Sequence, residues 1–158
     1  MIIIINSVYS YLLIAHSYLR WLVVSALVFQ IVWFYVANKR GDILTRRKFD
    51  LLILLLIVLN LQFVLGWLLY LESPLVNAFW EGAPKTVKMR SLRFFGIEHM
   101  TMMSLAVGLS NLVVIRARKK IGTACFAWLF KSYMLVGVMI FTSVPWAFSP
   151  FTSRPNWR

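Results

Sequence analysis

Apolar residues run through four long stretches of this chain, and charged residues cluster between them. Each stretch reaches the roughly 20 residues that a helix needs to cross a hydrocarbon core of about 30 Å. The pattern predicts transmembrane helices at residues 10–37, 51–72, 94–115 and 125–147. We therefore expect an all-α integral membrane protein, a single four-helix bundle over residues 1–158 with an up-down-up-down order.

The composition indicates that the chain lies in the lipid bilayer. The chain is 61% hydrophobic and 16% aromatic, more apolar than a soluble domain can cover. A net charge of +12 is compatible with nucleic-acid binding in principle, but the basic residues stand in short clusters between apolar stretches. That distribution is typical of charges that orient a membrane protein, so we expect no nucleic-acid partner.

The basic clusters also predict the orientation. The first and third connections hold nine Lys and Arg residues, against six in the middle connection and the tail. Because positive charge favours the cytoplasmic side, both termini are predicted to lie outside. The nine are Lys39, Arg40, Arg46, Arg47, Lys48, Arg116, Arg118, Lys119 and Lys120.

Two segments at the outer side are rich in proline and aromatic residues. The connection between residues 73 and 93 contains Pro74 and Pro84 around Phe79 and Trp80, and we expect it to fold back onto the outer surface. After the last helix the chain continues as an aromatic C-terminal tail, which is predicted to lie at the outer interface.

The chain has two histidines, and each lies near the outer end of a different predicted helix. At about 1.5 Å per residue, His16 and His99 lie about 31 and 24 Å from the cytoplasmic ends of their helices, so the rings can meet in the outer leaflet. Two imidazoles on facing membrane helices are suitable axial ligands for a buried haem iron. We expect one haem b between the first and third helices, with His16 and His99 as metal ligands.

The sequence places two charged residues beside the histidines and leaves open which groups they pair with. Arg20 lies one turn from His16, and Glu98 precedes His99. An ion pair between Arg20 and Glu98 would lower the cost of placing both in the membrane. Alternatively, Arg20 binds a haem propionate and Glu98 accepts from Arg93 or from a histidine ring. Arg93 is itself placed to bind a propionate or a lipid headgroup.

Gly96 and Gln62 complete the candidate site. Gly96, three residues before His99, leaves room for a porphyrin or lets helices pack closely. Gln62 lies in the middle of the second helix, where an amide is an interhelical hydrogen-bond partner or a neighbour of a haem edge or a quinone headgroup.

Several short strings resemble a family of small four-helix bacterial membrane proteins described as cytochrome-b-like. These strings are residues 16–21 (HSYLRW), Arg93 with residues 98–103 (EHMTMM), and Pro145-Trp146 with Arg154-Pro155. The resemblance implies a bacterial inner membrane protein in which His16 and His99 bind haem b. It also implies that the site includes Arg20, Gln62, Arg93 and Glu98.

The expected function is that of a membrane-bound b-type cytochrome or cytochrome subunit that transfers single electrons, linked to quinone and to other respiratory subunits of an oxidoreductase complex. Bis-histidine ligation leaves no open iron position, and no hydrolytic motif is present, so we assign no catalytic residue. One alternative is a cofactor-free accessory subunit of a larger respiratory or transport complex. Another is a haem- or copper-handling protein that uses Met100, Met102 and Met103 as soft ligands.

Overall fold

The computed structural model describes residues 2–146, with side chains from residue 8 onward. Over this range the chain is helical and has no strands, and four of its helices are long and apolar enough to cross a membrane. The prediction of an all-helical membrane protein is confirmed. The helices are α1 (Ile2–Lys39), α2 (Arg46–Glu72), α3 (Pro74–Glu81), α4 (Arg90–Arg118) and α5 (Phe126–Ser143).

The helix boundaries differ from those expected where local chemistry sets them. The second helix begins at Arg46 instead of residue 51, because the Thr45 hydroxyl accepts the backbone N–H of Lys48 at 3.4 Å and caps the first turn. The last helix ends at Ser143 instead of residue 147, since Pro145 cannot continue a helix and keeps the preceding residue extended. The predicted aromatic tail falls mainly on residues 147–158, outside the described part of the chain.

The four long helices pack as a square in which each contacts two neighbours. Helix α1 packs on α2 and α5, and α4 packs on the same two helices. The first and third spanning helices, α1 and α4, therefore face each other across the diagonal. Side chains that meet along this diagonal lie in the centre of the bundle.

One end of the bundle is closed by two connections that hold each other. Gly41 adopts a φ of +68°, and the N–H of Asp42 reaches the carbonyl of Ala37 at 3.0 Å, which ends α1 in a Schellman turn. Leu44 then donates to the Thr123 carbonyl at 3.0 Å and accepts from Gly122 at 2.8 Å. The side chains behind these loops form a tight core whose fully buried members include Phe34, Leu44, Leu52, Phe126, Leu129 and Tyr133.

The other end is covered by residues 73–89, which we call the cap. It comprises α3 and a 3-10 turn at Lys85–Lys88, and α3 packs on the beginning of α4. Phe79 is buried against Gly96 of α4, whose missing side chain makes the room: a Cβ on Gly96 would lie 2.5 Å from the Phe79 ring. The hydroxyl of Thr86 donates to the Phe79 carbonyl at 2.6 Å and ties the 3-10 turn to α3.

We predict that Gly96→Ala destabilises the protein by about 1–3 kcal/mol, because the added methyl overlaps a buried ring. Gly108→Ala in the same helix is the matched control, since nothing lies within 4 Å of a Cβ there and alanine favours a helix by about 1 kcal/mol. Thermal unfolding in detergent would measure both variants. Equal melting temperatures for the two would contradict the assigned contact between Gly96 and Phe79.

Candidate functional site

A cavity of about 130 Å³ lies at the capped end of the bundle, and both histidines line it. His16 comes from α1 and His99 from α4, the two helices that face each other across the diagonal. Arg20 and Gln62 line the same cavity. Four of the seven residues proposed from sequence are thus brought together.

His99 is oriented by the end of the neighbouring helix. Its Nδ1 lies 2.7 Å from the carbonyl oxygen of Ser143, the last residue of α5. The last carbonyls of a helix have no partner within it, and a carbonyl oxygen can only accept, so Nδ1 carries the hydrogen and donates it. Nε2 then keeps its lone pair, which is the state in which an imidazole binds a metal.

A π-helical turn directly precedes His99. Residues Phe94–Glu98 form this turn within α4, between an α-helical start at Arg90–Arg93 and the regular helix from His99 on. Such single-turn insertions rotate the residues that follow and are frequent at functional sites. Here the turn sets the direction in which the His99 ring leaves its helix.

His16 is held from α2. The amide nitrogen of Gln62 donates to the His16 carbonyl at 3.0 Å and lies 3.3 Å from His16 Nε2. One turn further along α2, Gly66 leaves room for the ring, since a Cβ there would stand 3.1 Å from His16 Cε1. His16 Nδ1 is buried without a hydrogen-bond partner among the described residues.

Arg20 is buried beside the histidines, with 8% of its surface exposed. It lines the cavity one turn below His16, and its guanidinium carbon lies 5.4 Å from the centre of the Trp21 ring. Glu98 pairs with Arg93 at 2.6 Å. Of the partners that the sequence left open for Glu98, the structure has Arg93, and the binding of a propionate by Arg20 stays a prediction.

Gly96, Arg93 and Glu98 do not line the cavity, and their contacts serve the cap. Gly96 packs against Phe79 instead of bordering the space between the histidines, and its carbonyl accepts the Tyr70 hydroxyl at 2.8 Å. Arg93, besides pairing with Glu98, donates to the carbonyl of Val87 at 3.1 Å. The interpretation of Gly96 as a close-approach point for a porphyrin is thus replaced by helix packing, because the cap occupies the space beside it.

Other lining residues were not singled out as site residues from the sequence. Gly66 and Tyr70 follow Gln62 at one-turn intervals on α2, and this spacing is the signal that a helical face analysis can use. No comparable signal marks the cap residues. The remaining lining residues of this kind include Tyr9, Ser17, Ser73 and Val76. Of the three methionines considered as soft ligands from the sequence, Met100 and Met103 line the cavity and Met102 does not.

The donor set of the cavity fits a haem better than it fits a bare metal ion. Residues 8–146 contain no cluster of three His, Cys, Asp or Glu side chains. Axial ligation of a haem needs only two imidazoles, which the cavity has. Its volume is below the roughly 300–1,000 Å³ of sites for larger ligands, so a porphyrin requires side chains to move apart. Gln62, next to His16 Nε2, is the side chain that has to turn aside.

We predict that Gly66→Ala displaces the His16 ring and breaks its contact with Gln62, because the new methyl would stand 3.1 Å from Cε1. Nitrogen-labelled histidine NMR spectra in detergent would show shifted His16 ring resonances, with those of His99 nearly unchanged. Gly108→Ala serves as the control and should leave both rings in place. Unshifted His16 resonances in Gly66→Ala would show that the ring does not pack on α2.

Comparison with known proteins supplies no relative for this arrangement: no family model, no curated protein and no solved structure matches the chain.

Proposed function

We propose that this protein is a membrane-bound b-type cytochrome, or a cytochrome subunit, in which His16 and His99 hold one haem b between α1 and α4. The observation that carries the proposal is that both histidines of the chain line one cavity from diagonal helices, with His99 Nδ1 bound to the Ser143 carbonyl. Two ligands on opposite walls are the arrangement that a haem plane between them requires.

The residues around the two ligands have distinct supporting roles in this proposal. Ser143 keeps the His99 ring in the tautomer that presents Nε2 to the cavity. Arg20 offers a guanidinium inside the cavity wall, where a carboxylate such as a propionate is its natural partner. Arg93 and Glu98 act at a distance: Arg93 ties the beginning of α4 to the cap through the Val87 carbonyl, and Glu98 pairs with Arg93.

The ligand set favours electron transfer over oxygen chemistry. If His16 and His99 hold a haem, both imidazoles would bind its iron, and the group would supply one-electron transfer. The cavity lies at one end of helices that cross about 30 Å of hydrocarbon, so electrons need a further carrier to reach the other side. We infer a lipid-soluble quinone or a neighbouring respiratory subunit as that carrier.

The proposed location is the bacterial inner membrane, with the capped end and both termini outside. The charge distribution supports this orientation: the end closed by the Leu44 and Gly122 connections has nine basic residues around it, and two of these pair with Asp42 and Asp50. Positive charge of this kind stays on the cytoplasmic side.

A second candidate is a cofactor-free accessory subunit, and the hydrogen bonds of the histidines favour it. Gln62 joins α2 to His16 of α1, and His99 of α4 joins α5 through Ser143. Polar bridges of this kind can hold membrane helices together without any ligand. In that case the small cavity is a packing defect around the bridges.

We predict that the detergent-purified protein, expressed in cells well supplied with haem, shows the sharp α and β bands of low-spin haem in its reduced-minus-oxidised spectrum. His16→Ala and His99→Ala should each lose these bands, because one axial ligand is gone. Asn111→Ala is the matched control: it removes a half-buried hydrogen bond to Asn60, at 3.1 Å, between two residues that do not line the cavity.

Two results would contradict the cytochrome. A colourless, iron-free preparation supports the accessory subunit, and copper without iron supports a copper carrier. Bands that survive in both histidine variants would place the haem elsewhere.

A further inference from the structure

The positive charge of this chain is concentrated at one end of the bundle. This is the end closed by the first and third connections, which we call the loop end. Residues 39–50 and 116–120 hold nine Lys and Arg residues and two Asp residues there, a net charge of +7. At the capped end, residues 72–98 hold four basic residues and three glutamates, a net charge of +1. Like charges held together on a folded chain repel each other, so an anionic partner at the loop end lowers the electrostatic energy.

The two aspartates neutralise only two of the nine basic residues. Lys48 Nζ lies 2.6 Å from Asp42 Oδ2, and Arg46 Nε lies 3.0 Å from Asp50 Oδ1. The other seven have no carboxylate partner among residues 8–146, and all seven are exposed. We call these seven residues the basic rim: Lys39, Arg40, Arg47, Arg116, Arg118, Lys119 and Lys120.

The basic rim is one surface because the two connections are bonded to each other. Leu44 donates to the Thr123 carbonyl at 3.0 Å, and Gly122 donates to the Leu44 carbonyl at 2.8 Å. The backbone N–H of Lys120 donates to the Ala117 carbonyl at 2.9 Å, which holds this part of the third connection on the end of α4. Basic residues that are far apart in the sequence therefore keep a fixed arrangement on the loop end.

The basic rim lies at the depth of the lipid headgroups. Lys39 is the last residue of α1 and Arg118 the last of α4, and spanning helices end where the hydrocarbon gives way to headgroups. Lys39 Nζ lies 5.7 Å from the centre of the Tyr35 ring, and Lys120 Nζ lies 5.6 Å from the centre of the Trp128 ring. Tyr and Trp rings are enriched at this interface, and long Lys side chains extend along apolar surface to place their ammonium groups among the headgroups.

We propose that the basic rim binds the headgroups of anionic phospholipids. This goes beyond the proposed function and does not depend on haem. Ammonium and guanidinium groups bind phosphate oxygens through charge-assisted hydrogen bonds. A zwitterionic headgroup offers the same phosphate, but its own cation is repelled by the rim. A nucleic acid or an acidic protein has to approach from the water, whereas the phosphates of anionic lipids already lie beside the helix ends.

Native mass spectrometry of the delipidated protein tests this surface. The protein is incubated in detergent with equal amounts of phosphatidylglycerol and phosphatidylcholine that have the same acyl chains, and the bound lipids are identified by mass over a series of concentrations. Lys119→Gln/Lys120→Gln removes two charges from the basic rim. Lys85→Gln/Lys88→Gln is the matched control, because it removes two exposed lysines from the capped end. None of these four lysines lines the histidine cavity.

We expect the wild-type protein to retain phosphatidylglycerol in preference to phosphatidylcholine. Lys119→Gln/Lys120→Gln should weaken binding of phosphatidylglycerol by about tenfold or more, because each basic residue near an anionic headgroup adds to the attraction. Lys85→Gln/Lys88→Gln should bind phosphatidylglycerol as the wild type does. Lys119→Arg/Lys120→Arg keeps both charges and should also bind as the wild type does.

Equal retention of the two lipids by the wild-type protein would overturn the proposal. Equal losses in the two glutamine variants would also overturn it, because the overall charge of the protein, and not the basic rim, would then set the affinity. Loss of binding in Lys119→Arg/Lys120→Arg would show that positive charge at the rim is not what holds the lipid. Displacement of phosphatidylglycerol by added glycerol 3-phosphate, which has no acyl chains, would make the rim a site for a soluble phosphate instead.

Discussion

The hydrogen bond from His99 to the carbonyl of Ser143 is the contact on which the candidate site depends. Within a membrane a backbone carbonyl without a partner is costly, and the end of α5 creates one. The imidazole satisfies this carbonyl and is in turn held in one tautomer and one direction. The proline that stops α5 thus determines, through one orphaned oxygen, what the histidine of another helix can present to the cavity.

The two ends of the bundle differ: one is a tightly packed core, and the other contains the polar side chains of the candidate site. At the loop end, side chains such as Phe34 and Leu129 are fully buried, and the connections bind one another through their backbones. At the capped end, the same four helices enclose polar side chains and a space. The packed loop end holds the four helices in place. The capped end can therefore keep polar groups and an internal space without the helices closing onto each other.

Much of the fold follows from the sequence because hydrophobic length is the dominant signal in a membrane. The length of the apolar stretches predicts the four spanning helices. The distances of His16 and His99 from the ends of their helices predict that the two rings lie in the same region. The helix ends were less accurate, because a hydroxyl cap at Thr45 and a proline at residue 145 override the apolar pattern.

The residues next to His99 could not be assigned from sequence for a different reason. Gly96, three residues before His99, would share its side of a regular helix, and Arg93 and Glu98 lie close to it in sequence. The π-helical turn rotates this stretch, and the cap supplies Phe79 and the Val87 carbonyl as partners. A partner from a separate element leaves no mark in the local pattern, whereas the regular face of α2 does reveal Gly66 and Tyr70.

The attachment of the cap has a consequence for traffic into the cavity. Ser73 alone separates α2 from α3, Phe79 sits in the notch at Gly96, and Arg93 grips the far side at Val87. Because the cap is attached at its beginning, middle and end, lifting it away requires contacts at all three places to break together. A ligand that enters under the cap therefore meets a higher barrier than it would under a segment held at one edge.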